Sequence, residues 1–76
     1  MKIYLLTKVN FKKSKNLDEY ESFIIATYDE NKARILASNE EPQSLWMDTN
    51  EVSVELIGST VKTGRYGIIL GSFNAA

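Results

Sequence analysis

The sequence predicts an α+β fold in which one short helix packs on a four-stranded antiparallel or mixed sheet, in the order strand, strand, helix, strand, strand. Two observations carry this prediction. Apolar residues cluster in four short strand-like segments, and one stretch between the second and the third has them at helical spacing. A chain of 76 residues has room for one core only, so we expect a single domain over 1–76.

The predicted elements follow one another with polar connections between them. They are strands at 2–9, 19–28, 52–59 and 66–73 and a helix that is capped by Asp29 and ends near Asn39. The first segment carries apolar groups on both faces, with Tyr4 and Leu6 opposite Leu5, which is typical of an interior strand. A basic turn over 62–65 leads into the last strand.

The helix prediction depends on a cap and on residue spacing. Asp29 directly follows the second strand and is a good N-cap, because its carboxylate can accept a hydrogen bond from a free amide of the first turn. The side expected to face the sheet carries Ala33, Leu36 and Ala37. Arg34 is expected off that side. Ile35 lies roughly opposite it, so Ile35 is either covered by the following loop or exposed.

Residues 40–51 lack clear periodicity and contain the single proline and the single tryptophan, Trp46. We therefore expect an ordered loop that is pinned by its aromatic ring. The large apolar residues in and near this loop are Ile35, Leu45, Trp46 and Met47. They form either an exposed patch, of the kind enriched where proteins bind proteins, or a second small core beneath the loop.

The composition excludes several kinds of catalytic and ligand-binding site. With no cysteine and no histidine, the chain has no disulfide, no thiol nucleophile and no imidazole base. The acidic groups around 48–51 lack the glycine and the alternating ligands of a calcium loop. Gly67 and Gly71 lie in a strand, so we expect close backbone packing or a bulge there and not a phosphate loop. We expect a protein that is not an enzyme and that holds no cofactor and no metal.

One local concentration of positive charge occurs in a chain of net charge −1. Lys12 and Lys13 can meet phosphates while the neighbouring Phe11 ring stacks on a base or packs on a partner. Acidic residues follow at once and dilute this positive field. A solubilising loop is therefore the simpler interpretation, and contact with nucleic acid or a nucleotide is the alternative.

Several segments together resemble a set of small, uncharacterised phage and prophage proteins. The segments are the opening strand with its lysine and tyrosine, 20–26, 29–34, the lone Trp46, 56–58 and 67–75. The resemblance covers nearly the whole chain, is most specific in the last segment, and brings no catalytic residues with it. It implies a bacterial cytoplasm during infection and a protein small enough to act by binding.

These observations favour a non-enzymatic binding protein, namely a phage-derived inhibitor of a host factor such as a component of bacterial anti-phage defence. The residues expected to contact the host protein are the apolar anchors Ile35, Trp46 and Met47 and the charged rim Lys12, Lys13 and Arg65. We expect a cytoplasmic location, because no apolar segment is long enough for a membrane span.

Two other functions stay open. In the first, an oligomer sequesters a nucleotide signal at subunit interfaces, with cationic groups on phosphates and aromatic rings on bases. Its candidate ligand-binding residues are Tyr4, Tyr20, Tyr66 and Arg65. In the second, the protein is a virion-associated accessory protein. One short helix covers only part of a four-stranded sheet, so a homodimer through the remaining face, or a higher oligomer, is compatible with this sequence.

Overall fold

A computed structural model describes residues 1–12, 18–59 and 67–74, and the fold follows from these ranges. They contain β1 (Lys2–Lys8), β2 (Glu19–Thr27), α1 (Glu30–Glu40), β3 (Val52–Ser59) and β4 (Gly67–Asn74). The predicted α+β class and the predicted order of elements are therefore confirmed. The predicted turn over 62–65 lies outside the described residues.

The four strands form one sheet in the order β3-β1-β2-β4, and each neighbouring pair is antiparallel. β1 lies in the interior of the sheet, as its two apolar faces predict. β3 and β4 follow one another along the chain but occupy opposite edges, because β1 pairs with both β2 and β3 and leaves β4 to pair with β2. Two strands, β1 and β2, therefore separate β3 from β4 in the sheet.

One face of the sheet packs against α1 and carries the core. Leu6 of β1 lies directly opposite Phe23 of β2, and both are buried. On the helix, Ala33 and Ala37 are fully buried, and their small side chains let the helix approach the sheet closely. The other buried members of this core are Tyr4, Ile25, Trp46 and Val52. Burial of a leucine- or phenylalanine-sized side chain contributes roughly 1.5–3 kcal/mol, so these positions are the main hydrophobic source of stability.

Asp29 caps the helix as predicted. Its Oδ1 accepts a hydrogen bond from the amide of Lys32 at 2.8 Å, and its carbonyl accepts one from the amide of Ala33 at 3.1 Å. A cap of this kind contributes about 1 kcal/mol. The helix departs from the prediction at Arg34, which is buried together with Ala33 and Ala37 instead of lying off the covered side.

The other face of the sheet carries a row of apolar side chains. Leu5 of β1 lies opposite Ile24 of β2, and Ile24 lies opposite Leu70 of β4. Leu5 and Ile24 are half-buried, whereas Leu70 at the edge is exposed. Because α1 packs on the opposite face, this row gives the sheet an apolar surface of its own.

Gly71 makes room for the aromatic part of the core. A Cβ atom at this position would lie 2.7 Å from Cε1 of Tyr20 and 2.9 Å from Cε1 of Phe23. The two rings pack with their centroids 4.4 Å apart, and the Tyr20 ring also meets Phe73 at 4.9 Å. The close packing expected at Gly71 from the sequence is therefore present.

We expect Gly71→Ala to lower the free energy of unfolding by about 1–3 kcal/mol, because the new methyl group must displace two packed rings. Urea unfolding followed by circular dichroism measures this change. Gly58→Ala is the control, since its Cβ would meet Cδ1 of Ile3 at an ordinary 3.9 Å. Equal effects of the two substitutions would contradict the packing role of Gly71.

Candidate functional site

Buried polar groups converge where α1 ends, beside the end of β1 and the start of β2. Glu41, the residue that follows α1, is 2% exposed. Its Oε1 accepts hydrogen bonds from Nζ of Lys8 at 2.8 Å and from Nε1 of Trp46 at 3.1 Å. Its Oε2 accepts one from the backbone amide of Tyr20 at 2.6 Å. The polar cluster is defined as Lys8, Glu19, Glu41, Ser44 and Trp46.

Lys8 is the cation of the polar cluster. Besides its contact with Glu41, its ammonium donates to Oε1 of Glu19 at 2.9 Å and to Oγ of Ser44 at 3.0 Å. An ammonium has three donors, so each of them is occupied. The ammonium also lies 5.1 Å from the centre of the Trp46 ring, within the range of a cation–π interaction. Lys8 therefore ties two strands, the helix end and the loop together.

The pKa of Glu41 lies below its ordinary value. Burial by itself raises this pKa, but hydrogen bonds from Lys8 and three further donors favour the charged carboxylate and outweigh burial. A carboxylate with a lowered pKa stays ionised at neutral pH and is a poor proton donor. Its occupied oxygens also leave little room for it to accept a proton from a substrate. The contacts of Glu41 are those of a group that holds structure together.

Arg34 anchors the second half of the loop. Its Nη1 donates to the carbonyl of Trp46 at 3.0 Å and to that of Asp48 at 3.4 Å, and Nη2 donates to the carbonyl of Val52 at 3.0 Å. Its Nε lies 3.5 Å from Oε2 of Glu30 on the preceding helical turn. The prediction that Arg34 lies off the covered side is wrong, because buried loop carbonyls need donors and the guanidinium supplies them.

One member of the polar cluster carries a signal that is visible in the sequence. Successive side chains of a strand point to opposite faces, so Lys8 lies on the same face as Tyr4 and Leu6, which is the buried face of the first strand. A lysine on a buried face needs a carboxylate partner. Arg34 and Glu41 lack such a signal, because their burial depends on how the following loop folds back.

A half-open cavity of about 210 Å³ lies beside the polar cluster. Lys8 and Ser44 form part of its wall, and Phe11, Gln43 and Glu51 also line it. Ligand pockets for small molecules usually measure roughly 300–1,000 Å³. This cavity is therefore closer in size to the side chain of a partner than to a nucleotide.

The predicted apolar anchors divide into one buried residue and two exposed ones. Trp46 is fully buried, where its ring packs 4.8 Å from that of Phe23 and its N–H is bound to Glu41. The assignment of Trp46 as a surface anchor is wrong, because the loop places it in the main core. Ile35 is 42% exposed and Met47 is 48% exposed, so both are accessible to a partner.

The residues named for nucleotide binding are engaged elsewhere or lie outside the described ranges. Tyr4 is buried in the core, and the prediction that it contacts a ligand is wrong, since its ring faces the helix layer. Tyr20 is half-buried and its ring packs between Phe23 and Phe73. Lys12 is exposed. Lys13, Arg65 and Tyr66 lie outside the described residues.

Comparison with known proteins adds no relative. No protein-family model, curated protein or solved structure matches this chain. The resemblance to phage proteins therefore stays a prediction. Within the described ranges, no helix is long and apolar enough to cross a membrane. The same ranges bring no three acidic side chains together in a way that could hold a metal ion.

We expect Glu41→Gln to lower the free energy of unfolding by about 2–4 kcal/mol at neutral pH, because the buried Lys8 ammonium loses one of its carboxylates. The stability that Glu41 contributes is present above its ordinary pKa of 4.5 and is lost as pH falls through its lower folded pKa. Urea unfolding at several pH values tests both statements. The exposed Glu40→Gln is the control, and an equally stable Glu41→Gln would contradict the role of the cluster.

Arg34→Lys should release the loop, because an ammonium cannot reproduce the planar fork that reaches three carbonyls. We expect a loss of about 2 kcal/mol and faster hydrogen exchange at the amide of Val52, which donates to the carbonyl of Asp48 at 3.0 Å. Exchange measured by NMR follows this amide directly. Lys32→Arg, an exposed exchange of the same two residue types, is the control. Unchanged exchange in Arg34→Lys would contradict the anchoring role.

Proposed function

We propose that this protein is a small non-enzymatic binding protein of phage origin that inhibits a host factor, such as a component of bacterial anti-phage defence, by direct protein contact. The polar cluster supports a binding role over a catalytic one, because its charged groups are already engaged in hydrogen bonds within the protein. The ammonium of Lys8 has its three donors engaged, and Glu41 is held ionised by four donors. The phage origin and the class of host target rest on the sequence resemblance alone.

The observation that carries the proposal is the way Arg34 fixes an exposed apolar surface. Its guanidinium binds the carbonyls of Trp46 and Asp48, which are the two neighbours of Met47. The backbone of Met47 is therefore fixed against the helix that carries Ile35. Because the backbone beneath these two exposed apolar side chains is already ordered, a partner that covers them does not have to order it.

We name Ile35, Leu45 and Met47 the binding surface. Leu45, which is 62% exposed, is added to the two exposed anchors that the sequence predicted. Methionine adapts its shape to irregular partner surfaces, which suits a residue that contacts another protein. The exposed Lys12 is the described member of the proposed charged rim, which would influence the rate of encounter more than the affinity.

The alternative function, an oligomer that sequesters a nucleotide signal at its subunit interfaces, has less support. It relied on aromatic rings for stacking, and Tyr4 is buried while Tyr20 packs against two other rings. The cavity of about 210 Å³ beside Lys8 is also small for a nucleotide, and the cation in its wall is already paired.

The proposal is tested by expressing the protein in a panel of bacterial strains that each carry one anti-phage defence system. We expect it to restore plaque formation on at least one strain. Ile35→Lys and Met47→Lys should reduce this restoration at least about tenfold, because each places a charge in an apolar contact. Leu56→Lys, at an exposed leucine of β3 outside the binding surface, is the control.

Thermal unfolding of each variant separates lost binding from lost folding. The surface substitutions are expected to leave the melting temperature nearly unchanged, since the residues are exposed. Restoration that is absent in every strain would count against an anti-defence role. Full activity of both Ile35→Lys and Met47→Lys would count against the binding surface.

A further inference from the structure

The outer edge of β4 differs from an ordinary sheet edge. β4 pairs with β2 on one side, and no other described strand pairs with its second side. Its eight residues, Gly-Ile-Ile-Leu-Gly-Ser-Phe-Asn, include no charged residue and no proline. The opposite edge strand, β3, carries Glu55 near its middle. The two edges of the sheet are therefore not equivalent.

Unpaired strand edges usually carry features that prevent pairing with another chain. Charged side chains, prolines, bulges and covering segments are the common ones. β4 has one bulge, at Ile69, because Ile68 pairs with Ile25 and Leu70 pairs with Ile24. The pairing shifts once more between Tyr20 and Ser22, where the extra residue, Glu21, belongs to β2 and not to β4. From Leu70 to Asn74, alternate residues of β4 direct their backbone N–H and C=O groups away from β2, and no described strand pairs with them.

The side chains next to this edge are also apolar and accessible. Leu70 is 60% exposed and Phe73 is 50% exposed. Leu70 ends the apolar row that crosses the open face of the sheet through Ile24 and Leu5. A strand that continued the sheet beyond β4 would cover this row at its exposed end and pair the free backbone groups.

We propose that β4 pairs antiparallel with β4 of a second copy of this chain. In a two-fold dimer the same strand lies on both sides of the axis, so a charged residue near the axis would meet its own charge. β4 meets this requirement because it is uncharged over its whole length, whereas Glu55 would place like charges near each other in a dimer through β3. The inference does not depend on the proposed function.

The symmetry of this pairing determines the shape of the dimer. Two antiparallel copies of one strand within a sheet are related by an axis perpendicular to that sheet. The dimer is then a continuous eight-stranded sheet with both helices on the same face. Pairing along a single edge buries less than the roughly 1,600 Å² of a standard interface, so we expect a micromolar dissociation constant.

Analytical ultracentrifugation of the full chain across micromolar concentrations tests the proposal. We expect a reversible shift from one chain mass to two. Leu70→Lys should weaken dimerisation at least about tenfold, whereas Leu56→Lys should not, although Leu56 is 57% exposed on the other edge strand. Ser72→Lys is a second β4 variant in case Leu70→Lys does not fold. A wild-type chain that stays monomeric throughout would overturn the inference.

A third variant and hydrogen exchange distinguish edge pairing from face-to-face packing. Ser22→Lys places a charge on the open face, in an interior strand, and should leave an edge dimer intact. The amides of residues 70–74 that point outward should exchange more slowly as the protein concentration rises. The proposed pairing would be overturned if Ser22→Lys dissociated the dimer and if amide hydrogen exchange at 70–74 did not change with protein concentration.

Discussion

The ion pair between Lys8 and Glu41 is the contact on which the arrangement of the other elements depends. Lys8 ends β1 and Glu41 follows α1, so their 2.8 Å contact fixes the end of the helix against the sheet. Buried charges are stable only when paired and hydrogen-bonded, and the pair therefore also engages Ser44, Trp46 and the amide of Tyr20. Packing of the aromatic core and folding of the loop are thus coupled to one electrostatic contact.

A second buried cation completes this arrangement. Arg34 holds the carbonyls of Trp46, Asp48 and Val52, so the segment between α1 and β3 is attached to the helix. The segment's own backbone hydrogen bonds form single turns and not a helix or a strand. The two cations act at opposite ends of the loop. Together they hold the backbone of a loop whose apolar side chains Leu45 and Met47 are exposed.

Local sequence signals were sufficient to predict the helix and the strands, but not which of these elements pack or pair with one another. Asp29 marks the start of the helix and alternation marks the strands, because both signals act over a few neighbouring residues. The burial of Arg34 and Trp46 depends on contacts between the helix and a loop that follows it, which no local pattern encodes. The order of strands likewise depends on long-range pairing, and so the sequence did not reveal that β3 and β4 lie at opposite edges.

The position of Trp46 has a spectroscopic consequence. It is the only tryptophan in the chain, and its indole N–H is bound to the Glu41 carboxylate while the Lys8 ammonium lies over its ring. All indole emission therefore comes from one dry site between two opposite charges. The fluorescence of this protein is an intrinsic optical reporter of whether the ion pair is intact, and it needs no attached dye.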